Sequence, residues 1–424
     1  MKKKLPAIFG ILIPIVLGII LFLLLRTFDS IKSNNTPIAT IVPTTTAVPS
    51  ATPLPTSTPS PTPEPTPTPT PAPTPTPGPV TVCLGGDLMC LGGQQTLAKQ
   101  PDGTFNFNNS FSLIKDHLNN CDIAVANLET VISESTPLTI NQRIKLNNIP
   151  LCNGPEEYLA AVKEAGFTAI CTANNHSMDG DYIGINETLQ KLNEYGFVHT
   201  GMYEPPFETD ASVPPQESSQ RYIIMEKNGI KIGLVAFTDL INLRSLYKEK
   251  ELQQVINCYS KELAEQLISE AKAAGADYVI VYNHWGNENT HDVTNEQKKM
   301  ATELADAGAN IIIGSHPHCL QGFELLRASD GREVPCYYSL GNLVSSMAKD
   351  INNDTALITI TLHYTPEGVQ LKDMDIMPCH VFVRLNGKPH VIVPLSYPLE
   401  NKTYLSELEK ARDRIRAVLP WEKE

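Results

Sequence analysis

Three lysines, Lys2 to Lys4, precede an unbroken apolar run from Leu5 to Leu25, and Arg26 follows. About 21 residues of this kind suffice to cross a bilayer as a helix. Pro6 and Pro14 are tolerated in such a setting. The lysine cluster predicts a cytoplasmic N-terminus at residues 1–4, a single-pass anchor at 5–25, and a main domain outside the cell membrane. The run exceeds the apolar region of a usual signal peptide, and no small-residue cleavage site follows it, so an uncleaved anchor is favoured. Residues 26–79 form a linker in which Thr and Pro alternate from Pro59 to Pro77. That composition cannot bury a core and favours extended polyproline II. At about 3.1 Å per residue, its densest ~30 residues would reach roughly 90 Å.

From Val80 the pattern changes to short apolar runs alternating with amphipathic ones. Thr81–Gly86, Asp122–Leu128, Phe167–Thr172, Tyr278–His284, Asn310–Gly314, Pro335–Ser339 and Thr355–His363 read as strands. Helices are predicted at Phe111–Leu118, Pro155–Ala165 with Gly166 as its stop, Ile183–Tyr195, Leu263–Ala274, Asn295–Ala307 and Tyr404–Leu419. Arg221–Met225 and Ile230–Phe237 flank Asn228-Gly229, a hairpin signal. The segment Pro205–Gln220 reads as a surface loop. Strands alternating with helices imply an α/β fold, and the hairpin adds antiparallel pairing, so mixed sheets are expected. The folded domain is placed at 80–395, with a C-terminal helical segment at 396–424.

Composition sharpens this only in places. The 34 prolines among 424 residues crowd into the linker, while 42% hydrophobic content supports a real core. A net charge of −13 with no dense basic block beyond the N-terminus argues against a nucleic-acid partner. Nine cysteines without a C-x-x-C pair exclude a zinc-finger pattern, and Cys83, Cys121 and Cys171 are expected as buried free thiols.

The polar chemistry clusters where the predicted strands end, which is where open α/β folds bind ligands. Asp87 follows Gly85-Gly86. Asn127 and Glu129 end the second run, and Asn174, Asn175 and His176 follow the third. His284 closes Tyr278–Asn283, and His316 and His318 follow Gly314. Pro317 favours extended backbone between the two histidines, which would place both imidazoles on one side. Carboxylate, amide and imidazole together suit Mn, Fe or Zn as one or two divalent ions. Such ions polarise a substrate oxygen and acidify bound water. His199, His291, His363, His380 and His390 lack this context and are read as surface or structural residues.

Six motifs in order carry a resemblance: Gly85-Gly86-Asp87-Leu88-Met89, Asn127-Leu128-Glu129, Asn174-Asn175-His176 with Asp179 and Gly180, His284-Trp285-Gly286 with Glu288, Gly314-Ser315-His316-Pro317-His318, and Tyr338-Ser339-Leu340-Gly341-Asn342. Over about Val80 to Met347 the chain resembles the CapA-type capsule-synthesis family, associated with bacterial poly-γ-glutamate. The resemblance implies a four-layer α/β/β/α sandwich of the calcineurin-like metallophosphoesterase type. By it, Asp87, Glu129, Asn175, His284, His316 and His318 would be metal ligands. His176 would be the general acid, oriented by Asp179, and Asn127, Asn174, Glu288 and Asn342 would bind substrate. Met89 stands where phosphoesterases usually carry a histidine, and the Asn127/Glu129 pair replaces their bridging aspartate.

Three functions fit. The first is a capsule or exopolymer biosynthesis or export factor with an anionic extracellular polymer, poly-γ-glutamate, as partner, working with membrane capsule-synthesis machinery. The second is a metal-dependent hydrolase of a phosphoester or amide bond in a wall or capsule polymer. The third, motivated by Met89, is a polymer-binding module with a degenerate site.

Overall fold

The computed structural model of the protein describes residues 78–141, 151–205 and 221–419. The expected anchor, nearly all of the linker and residues 206–220 of the expected loop lie outside these. No helix among the described residues is long and apolar enough to cross a membrane.

In chain order the strands are β1 (Val80–Leu88), β2 (Ile123–Leu128), β3 (Ala169–Cys171), β4 (Val198–Thr200), β5 (Ile223–Lys227), β6 (Ile230–Thr238), β7 (Tyr278–His284), β8 (Ile311–Ser315), β9 (Leu320–Arg327), β10 (Glu333–Leu340), β11 (Asn342–Val344), β12 (Asp354–Thr365), β13 (Gly368–Leu385) and β14 (Lys388–Pro394). The longer helices are α1 (Glu156–Ala165), α2 (Asp181–Glu194), α3 (Lys261–Ala273), α4 (Asn295–Ala307) and α5 (Lys402–Val418). Two mixed sheets result, as the α/β reading requires. The first runs β14-β13-β12-β1-β2-β3-β4, with β11 paired to β1, and the second runs β5-β6-β7-β8-β10-β9. Strands β1 to β4 are mutually parallel, as are β6, β7, β8 and β10.

Alternation along β6 and β7 sorts the core. Ile230, Ile232, Leu234, Ile280 and Tyr282 join the apolar cluster that also holds Val82, Leu84 and Val125 of the first sheet. Val235, Phe237, Val279 and Val281 face the other way, onto Leu267 and Ile268 of α3 and Leu304 of α4. Successive strand side chains point to opposite faces, so one strand serves both layers. Apolar residues of α1 and α2, among them Leu159, Val162, Ile185 and Leu189, bury in the same cluster as β1 to β3.

Local signals explain the boundaries. Pro155 caps α1, and Gly166 ends it at φ 117°, a left-handed conformation that suits glycine. Thr294 and Gln297 form a reciprocal capping box at the start of α4. Asn228 and Gly229 both take positive φ in the β5–β6 hairpin. The single helix expected at Phe111–Leu118 is instead two short ones, Asn108–Phe111 and Lys115–Asn119, separated by a turn. Buried Phe111, Ile114 and Leu118 read as one helical stripe, but the chain bends between them. Helix α5 packs on the domain through Leu408, Ala411 and Ile415. It is tied there by Arg414, which donates to both oxygens of the buried Asp354 at 2.6 and 2.9 Å.

Candidate metal centre

The parallel strands of both sheets end at one place. Asp87 lies at the end of β1, opposite Asn127 of β2 in the register. Leu84 faces Val125 while Asp87 faces Asn127, so three steps on β1 match two on β2. This bulge at Gly85-Gly86 re-aims the strand end. Gly86 is required there, since a Cβ would collide with the Gly341 carbonyl. A Cβ on Gly314, near the end of β8, would likewise collide with the Tyr338 carbonyl and, less severely, with the Trp285 indole nitrogen.

Glu129 is at the middle. It is fully buried, and neither carboxylate oxygen has a hydrogen-bond partner. His284 Nε2 and His318 Nε2 each stand 3.7 Å from Glu129 Oε1. Two sets of converging ligand atoms share it: Glu129 with His284 and His316, and Glu129 with Asp87 and His318. In the first set His316 Nδ1 faces His284 Nε2 at 3.1 Å, and Asn175 Oδ1 is 3.0 Å from the same nitrogen. Electron-pair donors converging in this way on a buried carboxylate form a set that a cation could occupy.

The electrostatics agree. Burial pushes Asp87 up to about 7, against the hydrogen bonds from Asn127 and the His316 N–H. Burial, then the Asp87 charge, raises Glu129 well above the usual range. Burial depresses His316 to about 3 and His318 to about 4. Burial, then the charges of His316 and His318, holds His284 well below its ordinary value. The imidazoles are thus neutral, the form that ligates metal.

A second layer holds these groups in place. Asn127 Nδ2 donates to Asp87 Oδ1 at 2.8 Å, and Asn127 Oδ1 accepts from Asn174 Nδ2 at 3.3 Å. Asn174 Nδ2 also donates to the Leu128 carbonyl. Asn342 Oδ1 lies 3.0 Å from His318 Nδ1, and its amide donates to Ser345 Oγ. These three asparagines, expected from the resemblance to meet substrate, are buried, and each hydrogen-bonds to protein groups beside the converging carboxylates and imidazoles. Glu288 is exposed, and its carboxylate converges with the His316 and His318 rings. His316 and His318 reach the centre differently from the extended segment expected: both have positive φ, 95° and 57°. Left-handed backbone at such residues costs about 1–3 kcal/mol and must be held by its surroundings.

Beside this set, His176 Nδ1 bonds Asp179 Oδ2 at 2.6 Å, and its Nε2 lies 3.6 Å from Cys152 Sγ. Burial opposes its charge, but Cys152 and Asp179 outweigh that and raise its pKa well above the ordinary value. Three contributors escaped sequence reasoning. Ser315 Oγ meets His284 Nδ1 at 2.9 Å. The Asn242 N–H donates to the Asn175 carbonyl. Cys152 carries no local signal, since it precedes His176 by 24 positions. Ser315 alone lay inside a recognised motif.

The described residues therefore define an α/β protein with a buried carboxylate–imidazole centre at the carboxyl ends of its parallel strands. A family model described as bacterial capsule synthesis protein PGA_cap matches residues 81–347, and the chain belongs to that family. The capsule biosynthesis protein CapA of Bacillus anthracis is 27% identical over 302 residues, covering 71% of this chain and 66% of that one. The PGA biosynthesis protein CapA of Bacillus subtilis (strain 168) is 30% identical over 213 residues, covering 50% and 52%. The chain thus spans between about half and two thirds of these relatives. Similar solved structures include a 5'-nucleotidase precursor from Thermus thermophilus, at 12% identity and a TM-score of 0.44 over 80% of this chain and 59% of that one. The calcineurin-like phosphoesterase YfkN from Bacillus subtilis gives 14% and 0.38 over 79% and 97%.

Proposed function

We propose that this protein acts outside the membrane in the synthesis or export of a capsule polymer, poly-γ-glutamate, through a domain built around a divalent metal centre. Membership of a family described by capsule synthesis supports the role, as do relatives named for capsule and PGA biosynthesis. The single observation that carries the metal centre is Glu129, buried with both oxygens unpartnered among converging imidazoles. The donor set fits one or two ions of Mn, Fe or Zn. Glu129, His284, His316 and Asn175 would hold one, and Asp87, Glu129 and His318 the other. We read the two sheets and their helices as the four-layer sandwich of calcineurin-like type, supported by the way β6 and β7 divide their side chains between two apolar clusters. The run at 5–25 would anchor the chain, and the Thr-Pro linker would hold the domain off the bilayer, near the assembly machinery.

A second reading, hydrolysis of an amide or phosphoester in the polymer, is favoured by the His176–Asp179 pair. A bound divalent ion would supply Lewis acidity and a water acidified toward neutrality. Asp179 fixes the His176 ring through Nδ1, and Nε2, which now faces Cys152 Sγ, would deliver a proton to a leaving group by exchanging that contact for the substrate. Glu288 stands at the solvent side of the His316 and His318 rings, where it would repel a polyanion unless a cation screened it. The test is the polymer itself. Loss of the gene should reduce the amount, length or surface attachment of poly-γ-glutamate, and unchanged polymer would refute the role. On polymer chains the wild-type protein should shorten them and His176→Ala should slow this by roughly 10²–10⁴-fold. Full cleavage by His176→Ala would remove the hydrolytic reading while leaving the assembly role standing.

A further inference from the structure

A separate group of metal-ligating side chains lies upstream on β1, away from the strand ends. In the register Cys83 of β1 faces Thr359 of β12, and Thr359 faces Asp375 of β13. Directly paired residues share one face of a sheet, so these three stand in a row. His117 and Cys121, from the segment leading into β2, close over that row. His117 Nε2 meets Thr359 Oγ1 at 2.9 Å. The ligand atoms of Cys83, His117 and Cys121 all lie within 4.8 Å of one another. A cavity of about 530 Å³ opens beside them, lined by His117, Thr359 and Asp375 together with Arg412 of α5.

We propose that Cys83, Cys121 and His117 form a second cation site, for a thiophilic ion of the Zn²⁺ class, distinct from the carboxylate–imidazole centre. Two sulfurs and an imidazole are a soft donor set, unlike the oxygen-rich strand-end centre. Three protein ligands leave a fourth tetrahedral position, and the cavity gives it access to water or a small ligand. The alternative for adjacent thiols is a disulfide, but Cys83 and Cys121 are both free in the structure, and His117 completes a three-atom donor set with them. The protonation pattern is compatible: Cys83 is pushed up and Cys121 down, chiefly by the hydrogen bond between them. Burial keeps His117 low and hence neutral. Loading an ion displaces the two thiol protons to solvent, so binding tightens as pH rises. Cys83 lies four residues before Asp87, about 13 Å along the strand, so each centre can be emptied without dismantling the other.

Cobalt(II) distinguishes the two. Added to the reduced full-length chain, it should give a near-ultraviolet sulfur-to-cobalt charge-transfer band, which an oxygen and nitrogen site cannot produce, and Zn²⁺ should bleach it. The band should vanish in Cys83→Ser/Cys121→Ser, weaken in the half-buried His117→Gln, and persist in Asp87→Asn and in Cys152→Ser. Circular dichroism of each variant shows that it folds. An absent band, a band undiminished in His117→Gln, a band that survives in the double variant, or a band lost in Cys152→Ser would overturn the assignment. A Cys83–Cys121 disulfide found by mass spectrometry of the unreduced protein would overturn it as well.

Discussion

Around Glu129, two kinds of buried group respond to pH in opposite senses. Asp87, with a folded value of about 7, and Glu129, also raised, hold protons that the unfolded chain releases near pH 4. Above pH 6.5 this makes the folded state the richer in protons, and stability falls as pH rises. His316, His318 and His284 are depressed, so below pH 6.5 the unfolded chain takes up three protons that the folded one refuses. Between about pH 4.5 and 6.5 the three imidazoles outnumber the two carboxyls, and stability falls as pH falls. Raised His176 steepens the alkaline arm and His390, depressed to about 4, the acid arm, so the metal-free domain should be most stable near pH 6.5, and denaturant titrations across pH 5 to 8 test this. A monotonic profile would contradict the protonation states assigned to the centre. Saturation with a divalent ion should flatten the alkaline arm, because the ion compensates the carboxylates directly. The residues that converge here were legible in the sequence because each sits at or just past the end of an apolar run. Cys152 was not, because its meeting with His176 depends on the path of the chain between them.

Among the elements, the tight strand ends are the fragile parts. At Gly314 an added methyl group meets the Tyr338 carbonyl, a backbone atom that cannot rotate away. Gly314→Ala should cost about 1–3 kcal/mol, the usual cost of overpacking, and should weaken metal retention because β8 carries His316. Thermal unfolding with and without metal measures both effects, and an unaltered transition would mean that β8 has room to shift. The attachment of α5 is a different matter. Asp354 accepts two bonds from Arg414 and one from His380 Nδ1 at 2.7 Å, and is 2% exposed. Arg414→Met leaves the buried Asp354 carboxylate with His380 alone and should cost about 1–3 kcal/mol, lowering the single unfolding transition as a whole. A separate early transition would instead mark α5 as an independent unit. Central strands were legible because they are short apolar runs. Strand β13 was not: Val369, Leu371, Met374 and Ile376 pack on the core, but an irregularity at Lys372 breaks their alternation and Pro378 interrupts the run. The expected helix over Phe111–Leu118 failed for the opposite reason, since a helical spacing of apolar residues is kept across a turn.

At the scale of the molecule, two sheets meet so that the carboxyl ends of β1, β2 and β3 oppose those of β7 and β8, and neither sheet alone supplies a complete ligand set. Asp87 and Glu129 come from the first and His284, His316 and His318 from the second. Metal binding should therefore couple the two sheets and raise the stability of the whole domain. At an ion concentration 100 times the dissociation constant the gain is about 2.7 kcal/mol. Removal by a chelator should lower the melting temperature of both sheets together, as followed by hydrogen exchange. The arrangement across the sheets could not be seen in the sequence, because the order of strands within and between sheets depends on packing that no local pattern specifies. The resemblance supplied it as an expectation.

The central claim is that Glu129 organises a divalent metal centre, and manganese binding to the full-length chain, with and without Glu129→Gln, tests it most directly. Manganese suits oxygen and nitrogen donors and disfavours the thiolate site. The account predicts one or two manganese ions per wild-type chain and their loss in Glu129→Gln, with the metal-free variant at least as stable as the metal-free wild type because a buried carboxyl has become a neutral amide. Equal manganese in both proteins, or none in either at saturating ion, would contradict it.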